Sequence, residues 1–151
     1  MGWAFKLAGL SLIVAAVLVQ RRRARALAIQ ALYEVDCVGH TPSMVIGRTL
    51  EENPGLGEDA VEFLRRSVVG TLESAPLLDG WIAGCAPQWP VDELAVLDRN
   101  ILRLALWEFR VKRETPVKVA INEAVELAKR YSSDSAPRFI NGVLGTLAEG
   151  W

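Results

Sequence analysis

The chain has 151 residues, 51% of them apolar, and a net charge of −1. That predicts one domain with a core of its own and excludes a disordered chain or a uniformly basic one. The charge is unevenly placed: residues 21–25 carry four arginines and residues 1–20 only Lys6, while the other 12 basic and 18 acidic residues leave 26–151 at −6. Cys37 and Cys85 are too far apart in sequence to suggest a disulfide framework or a metal-ligand pair. They read as buried or half-buried thiols in a reducing compartment. His40, the single histidine, sits in loop chemistry beside Gly39 and Thr41-Pro42 and has no second histidine to complete a metal site.

At the N-terminus, residues 7–20 form an uncharged, mostly apolar run of 14. A bilayer span needs about 20 residues. The run resembles the apolar part of a signal peptide, but a single lysine precedes it and no small-residue cleavage site separates it from the arginines. Three readings stay open: a membrane anchor that keeps the domain inside the cell, an extra helix on the domain, or a translated upstream extension without a role.

From Arg21 onward the periodicity is helical throughout. Ala24, Leu27, Ala28, Ala31, Leu32 and Val35 recur at spacings of three and four, predicting a helix that ends near Gly39. Thr41-Pro42 is a cap followed by proline at the first helical position, opening a short helix to about Glu51. "ENPGLGED" is turn chemistry. A helix over about Glu58–Glu73 follows, with Val61, Leu64, Val68 and Leu72 on one face. A short one then carries Leu77, Leu78, Trp81 and Ile82 until "GCAPQWP" breaks it. The next is expected from near Val91 to about Val111, with Asp92 and Glu93 at the positive end of its dipole. Thr115-Pro116 opens another, with Val117, Ile121, Ala124, Val125 and Ala128 on its buried face. After "SSDSAP" the last helix carries Phe139, Ile140, Val143, Leu144 and Leu147. Gly142 and Gly145 lower its helix propensity and suggest the close approach of a neighbouring helix. The fold class is all-α, a compact bundle of six to seven helices plus the apolar N-terminal segment.

Catalytic chemistry is not indicated. "GLGED" lacks the lysine and serine of a phosphate loop, and neither H-E-x-x-H nor C-x-x-C occurs. Serine nucleophiles have only His40 as a base. The carboxylate pairs Glu51/Glu52, Asp92/Glu93 and Glu123/Glu126 fit helix starts and solvated faces, and Glu126/Arg130 reads as an i,i+4 pair. No metal, cofactor or enzymatic activity is expected. Trp81, Trp89 and Trp107 read as core or loop-packing residues. Tyr33 and Phe139 lie near Arg21–Arg25 and Arg138, the pattern that stacks unpaired bases. Four arginines at a helix N-terminus oppose the dipole, which points to a use for them. Guanidinium groups grip phosphate and stack on bases, so nucleic acid competes here with the flank of a membrane segment.

Three segments, "RRRARALAIQALYEVD", "VLDRNILRLALWEF" and "TPVKVAINEAVELAKRYSSDSAPRFINGVLG", together resemble the NusB family of bacterial transcription antitermination factors, over about Arg21 to Leu147. The resemblance implies two small three-helix bundles packed across each other and no catalysis. It implies binding of a short single-stranded boxA-type RNA together with NusE, also a ribosomal protein of the small subunit, in the RNA polymerase antitermination complex that supports ribosomal RNA transcription. By position, Arg21, Arg22, Arg23 and Arg25 match the arginine-rich RNA motif. Gln30 and Tyr33 match positions near the RNA and partner surface, and Arg138 and Phe139 a basic–aromatic pair near both. Asp134 and Ser135 are expected to cap the last helix at the partner surface, Lys118 and Lys129 to reach phosphates, and Asn122 to be structural. The domains implied are an extension over 1–20 and an RNA-binding helical domain over 21–151, in the cytoplasm. In the family the arginine motif lies near the chain start, on a lightly held arm; here an apolar segment precedes it. The alternatives are the related RNA-binding domain of ribosomal RNA methyltransferases, although no cofactor-binding unit follows here, and a membrane-anchored helical interaction protein.

Overall fold

The structure, a computed structural model, describes the backbone of residues 2–149 and the side chains of residues 6 and 8–149; residues 150 and 151 of the expected domain lie outside it. Seven α-helices stand in order: α1 (Gly2–Val38), α2 (Pro42–Glu52), α3 (Glu58–Glu73), α4 (Ala75–Cys85), α5 (Val96–Leu106), α6 (Val117–Tyr131) and α7 (Ala136–Leu147), and the described residues hold no strand. The 3₁₀ turn Val91–Glu93 precedes α5, and the π-helical turn Trp107–Lys112 extends it. The fold class is all-α, as the periodicity predicts. Helices α1, α2 and α3 pack on one another, α4 to α7 form a second group, and α1 and α3 against α5 join the two. The second group has four helices, α4 to α7.

Helix α5 is the hub. From Leu104 to Phe109 every residue is buried, so this end is enclosed on all sides. Around it lie Ala24, Ala28 and Leu32 of α1, Phe63, Leu64 and Val68 of α3, and Ile140 and Leu144 of α7. Helix α1 buries a wider face than the predicted stripe, including Arg25 and Ile29, because α3 and α5 both cover it. It ends at Gly39, whose φ of +79° suits a residue without Cβ. The sharpest close approach lies at Gly70, where a Cβ would stand 2.2 Å from Trp107 Nε1.

Several expectations are corrected. The helix expected from Val91 starts at Val96, because Leu94 and Ala95 are extended after the 3₁₀ turn. Gly142 and Gly145 admit no close neighbour; a Cβ at either meets nothing within 4 Å. Cys37 is exposed, lying past the covered part of α1. Glu126 pairs with Lys129 at 3.2 Å, while the Arg130 guanidinium lies over the Tyr131 ring. Trp107 is buried as expected, but Trp89 is 55% exposed.

The apolar segment continues α1 rather than forming a separate element. Leu10, Leu12, Ile13, Val14, Val17, Leu18 and Val19 are all exposed, so the helix runs free of the domain until Gln20, whose Oε1 accepts a hydrogen bond from the Gly57 N–H at 3.2 Å. Among the described residues no helix is long and apolar enough to cross a membrane. Continuity also removes the dipole argument: Arg21 lies 19 residues beyond Gly2, the start of α1, far outside the first turn where the terminal partial charge acts.

Candidate nucleic-acid interface

The four arginines of the run have four different environments. Arg21 is gripped in a fork by Asp59, Nε to Oδ2 at 3.2 Å and Nη2 to Oδ1 at 3.1 Å, and its guanidinium lies over the Phe63 ring. Arg22 donates only Nε, to Glu123 of α6 at 2.9 Å, and its side chain is 70% exposed. Arg23 donates Nη2 to the Asn53 side-chain carbonyl at 3.0 Å, a neutral partner that leaves its charge uncompensated. Arg25 is 5% exposed; Nη2 and Nε reach Glu108 at 2.7 and 3.0 Å. The Thr115 hydroxyl donates to the same carboxylate at 2.9 Å, and Glu108 is 2% exposed.

The four arginines expected at phosphates are therefore not equally accessible. Arg25 is enclosed, and its charge is balanced where no strand reaches it. Arg21 has two nitrogens engaged by Asp59 and a side chain only 26% exposed. The open guanidinium surface of the run comes from Arg22, which engages Glu123 through Nε alone and is 70% exposed, and from Arg23. Glu108 and Thr115 were not predicted as part of the site, although a carboxylate inside "LALWEFRV" was the available signal: a charge in an apolar run calls for a buried counter-charge.

Gln30 and Tyr33 are exposed and carry the outer face of α1 onward from Arg23 at helical spacing. Tyr33 is 42% exposed, and hydrogen bonding and charge interaction with Cys37 push its phenol above the ordinary value. Glu34 borders this face between Arg48 of α2, which pairs with it, and His40, whose Nδ1 stands 3.2 Å away. Desolvation raises its carboxyl, but the hydrogen bonds to Arg48 and His40 prevail and hold it below its usual range. Arg48 is a second cation on this flank, one that no sequence motif singles out.

On α6, Lys118, Asn122 and Lys129 are exposed and fall on one helical face, at offsets of four and eleven residues. Lys118 makes no ion pair among the described residues, and Lys129 pairs only with Glu126. Asn122 has no packing role of the kind expected, since it is exposed.

The remaining predicted residues lie elsewhere. Arg22 and Asp36 are 14 residues apart on α1, about 21 Å at 1.5 Å per residue. Asp36 binds Arg99 and Asn100 near the start of α5, and Asp98 accepts from Ser132 at the end of α6. Asp134, Ser135, Arg138 and Phe139, just beyond, therefore sit toward the C-terminal end of α1, away from the arginines. Ser135 occupies the cap position of α7 with no side-chain cap bond; its hydroxyl contacts Ser133 instead, so the expected capping by Asp134 and Ser135 is not made. Phe139 is half-buried, edge-on to Trp89 with ring centroids 6.4 Å apart. Arg138 is exposed and makes no ion pair among the described residues.

Comparison with known proteins places this geometry. Residues 22–149 match the profile of the NusB family. The transcription antitermination protein NusB of Roseiflexus castenholzii is 50% identical over 129 residues, covering 84% of this chain and 90% of that protein. Among solved structures, NusB of T. maritima superimposes with a TM-score of 0.79 at 32% identity over 86% of this chain and 91% of its own. A crystal structure of the antitermination factors NusB and NusE in complex with double-stranded RNA gives 0.78 at 26% identity, over 87% and 98%. The family match starts within the arginine run and takes in the whole helical bundle, and on that extent the chain belongs to the NusB family.

Proposed function

We propose that this chain is a non-catalytic transcription antitermination factor that binds boxA-type single-stranded RNA together with NusE, in the cytoplasm, as part of the RNA polymerase antitermination complex that supports ribosomal RNA transcription. The working domain is residues 21–151, preceded by the apolar segment 1–20. The observation that carries the reading is the exposed outer face of α1, which starts with the available guanidinium groups of Arg22 and Arg23 and continues through Gln30 to Tyr33. The solved complex of a related NusB with NusE and double-stranded RNA supports NusE and RNA as the classes of partner.

Arg22 and Arg23 capture phosphate, aided by Lys118 and Lys129 along α6. Gln30 offers an amide to a base edge. Arg138 and Phe139 engage RNA at the far end, and Tyr33, Asp134, Ser135 and Phe139 border the partner. Arg21 and Arg25 act as framework. No step requires a metal or cofactor, since binding rests on charge, stacking and hydrogen bonds.

The test is a titration of a fluorescently labelled boxA-type strand at fixed salt, with and without NusE. Wild type binds, more tightly with NusE. Arg22→Ala and Arg23→Ala each weaken binding about tenfold, the worth of a charge-assisted hydrogen bond. Equal affinity of the double variant and wild type contradicts the reading.

A further inference from the structure

We propose that Trp89, Phe139 and Arg138 form a stacking shelf for one unpaired base of the bound RNA, toward the C-terminal end of α1 and away from the arginine run. The proposal rests on the RNA-binding reading above and adds Trp89 as a contact residue. Trp89 lies in the segment "APQWP" between α4 and the 3₁₀ turn. It leaves more than half of its surface open to solvent, although the indole is the largest apolar side chain available for burial. Its position is nonetheless fixed. Pro87 and Pro90 stiffen the backbone on either side, and the Trp89 N–H donates to the Ala86 carbonyl at 3.0 Å to close the turn.

The indole is also braced sideways. It meets Phe139 at an interplanar angle of 69° and a centroid distance of 6.4 Å. Edge-on packing covers at most one of the four ring faces in the pair. The contact holds the ring in place and leaves indole surface free for a base. Base–aromatic stacking tolerates any sequence, because every base has a π face. Arg138 adjoins Phe139 on the first turn of α7, is exposed, and makes no ion pair among the described residues. It supplies the one cation needed to hold the phosphate of the stacked nucleotide. Asp92, Glu93 and Asp134, exposed and close in sequence, oppose any broader phosphate track. They favour a single stacked base over a run of backbone contacts.

The test uses a 12-nucleotide boxA-type single strand and a matched set with one abasic position each, so that phosphates are kept and single bases removed. Expected for Trp89→Ala is a loss of affinity of about 5- to 150-fold, the range for one stacked base, with the salt slope unchanged. Trp89→Phe retains most of the affinity, and Arg138→Ala flattens the log–log slope by about 0.7. One abasic position costs wild type affinity but costs Trp89→Ala nothing further. RNA also quenches emission in wild type more than in Trp89→Phe. If Trp89→Ala binds as wild type while Arg22→Ala is weakened, the shelf is wrong and the RNA-binding reading stands. If neither wild type nor any variant binds the strand, both fail. If Trp89→Ala loses only NusE, the surface belongs to the protein partner and the proposal is overturned. Thermal melting of each variant checks folding, and Trp89→Phe keeps the test decisive should the alanine variant unfold.

Discussion

At the scale of single residues, charge state and burial decide what the arginines do. The Arg25–Glu108 pair is enclosed, and Thr115 fills a further acceptor site on the carboxylate. Removing one member strands the other: Glu108→Ala is expected to lower unfolding free energy by about 3–5 kcal/mol in urea titrations, whereas Arg25→Met with Glu108→Leu costs far less. Asp36 gives a pH-dependent counterpart. The hydrogen bond from Arg99 holds its carboxyl below the ordinary 3.8, partial burial opposes this, and Asn100 and the charges of Arg99 and Arg103 add to it. A depressed carboxylate stabilises the fold above its unfolded value, and that contribution is lost as pH falls through the lower folded value. Asp36→Asn should therefore be less stable than wild type at neutral pH, and the gap should close below about pH 4. Thermal melts across that range check it, and a constant gap contradicts it. Neither partner choice was legible in the sequence, because Arg25 meets a residue 83 positions away and Asp36 one 63 away. The sequence shows that charges exist in apolar runs but not which of them meet.

At the scale of elements, periodicity located the helices well, since each has a face to bury against α5 or α1. It failed where backbone geometry rather than burial sets the boundary. Asp92 and Glu93 look like a helix start, yet Leu94 and Ala95 are extended and α5 begins only at Val96. The glycines make the same point. Gly142 and Gly145 suggested close packing by their spacing but face open space, while Gly70, one residue in an ordinary helical stretch, lies under the Trp107 indole. Gly70→Ala should lose about 1–3 kcal/mol through overpacking. Gly142→Ala should gain about 0.5–1 kcal/mol, since its only effect is better helix propensity. Denaturant titrations of the two variants decide it, and a stabilising Gly70→Ala contradicts the packing described.

At the scale of the molecule, the bundle turns a basic run into a sorted surface. Continuing α1 beyond the domain sets the arginines in the middle of a continuous helix. Its neighbours then claim two of them: α3 takes Arg21, and the end of α5 takes Arg25. The family was legible because the segments that carry it are contiguous. The division of labour within the run was not, because it depends on how α3, α5 and α6 surround α1. The central claim is that Arg22 and Arg23 alone supply the run's phosphate contacts. Its most direct test is the salt dependence of RNA binding. Each guanidinium on a phosphate of a single strand contributes about −0.7 to the log–log slope. Arg22→Ala with Arg23→Ala should flatten the slope by about 1.4, while Arg21→Ala, and Arg25→Met with Glu108→Leu, leave it as in wild type. A slope unchanged by the first pair, or flattened equally by the others, contradicts the account.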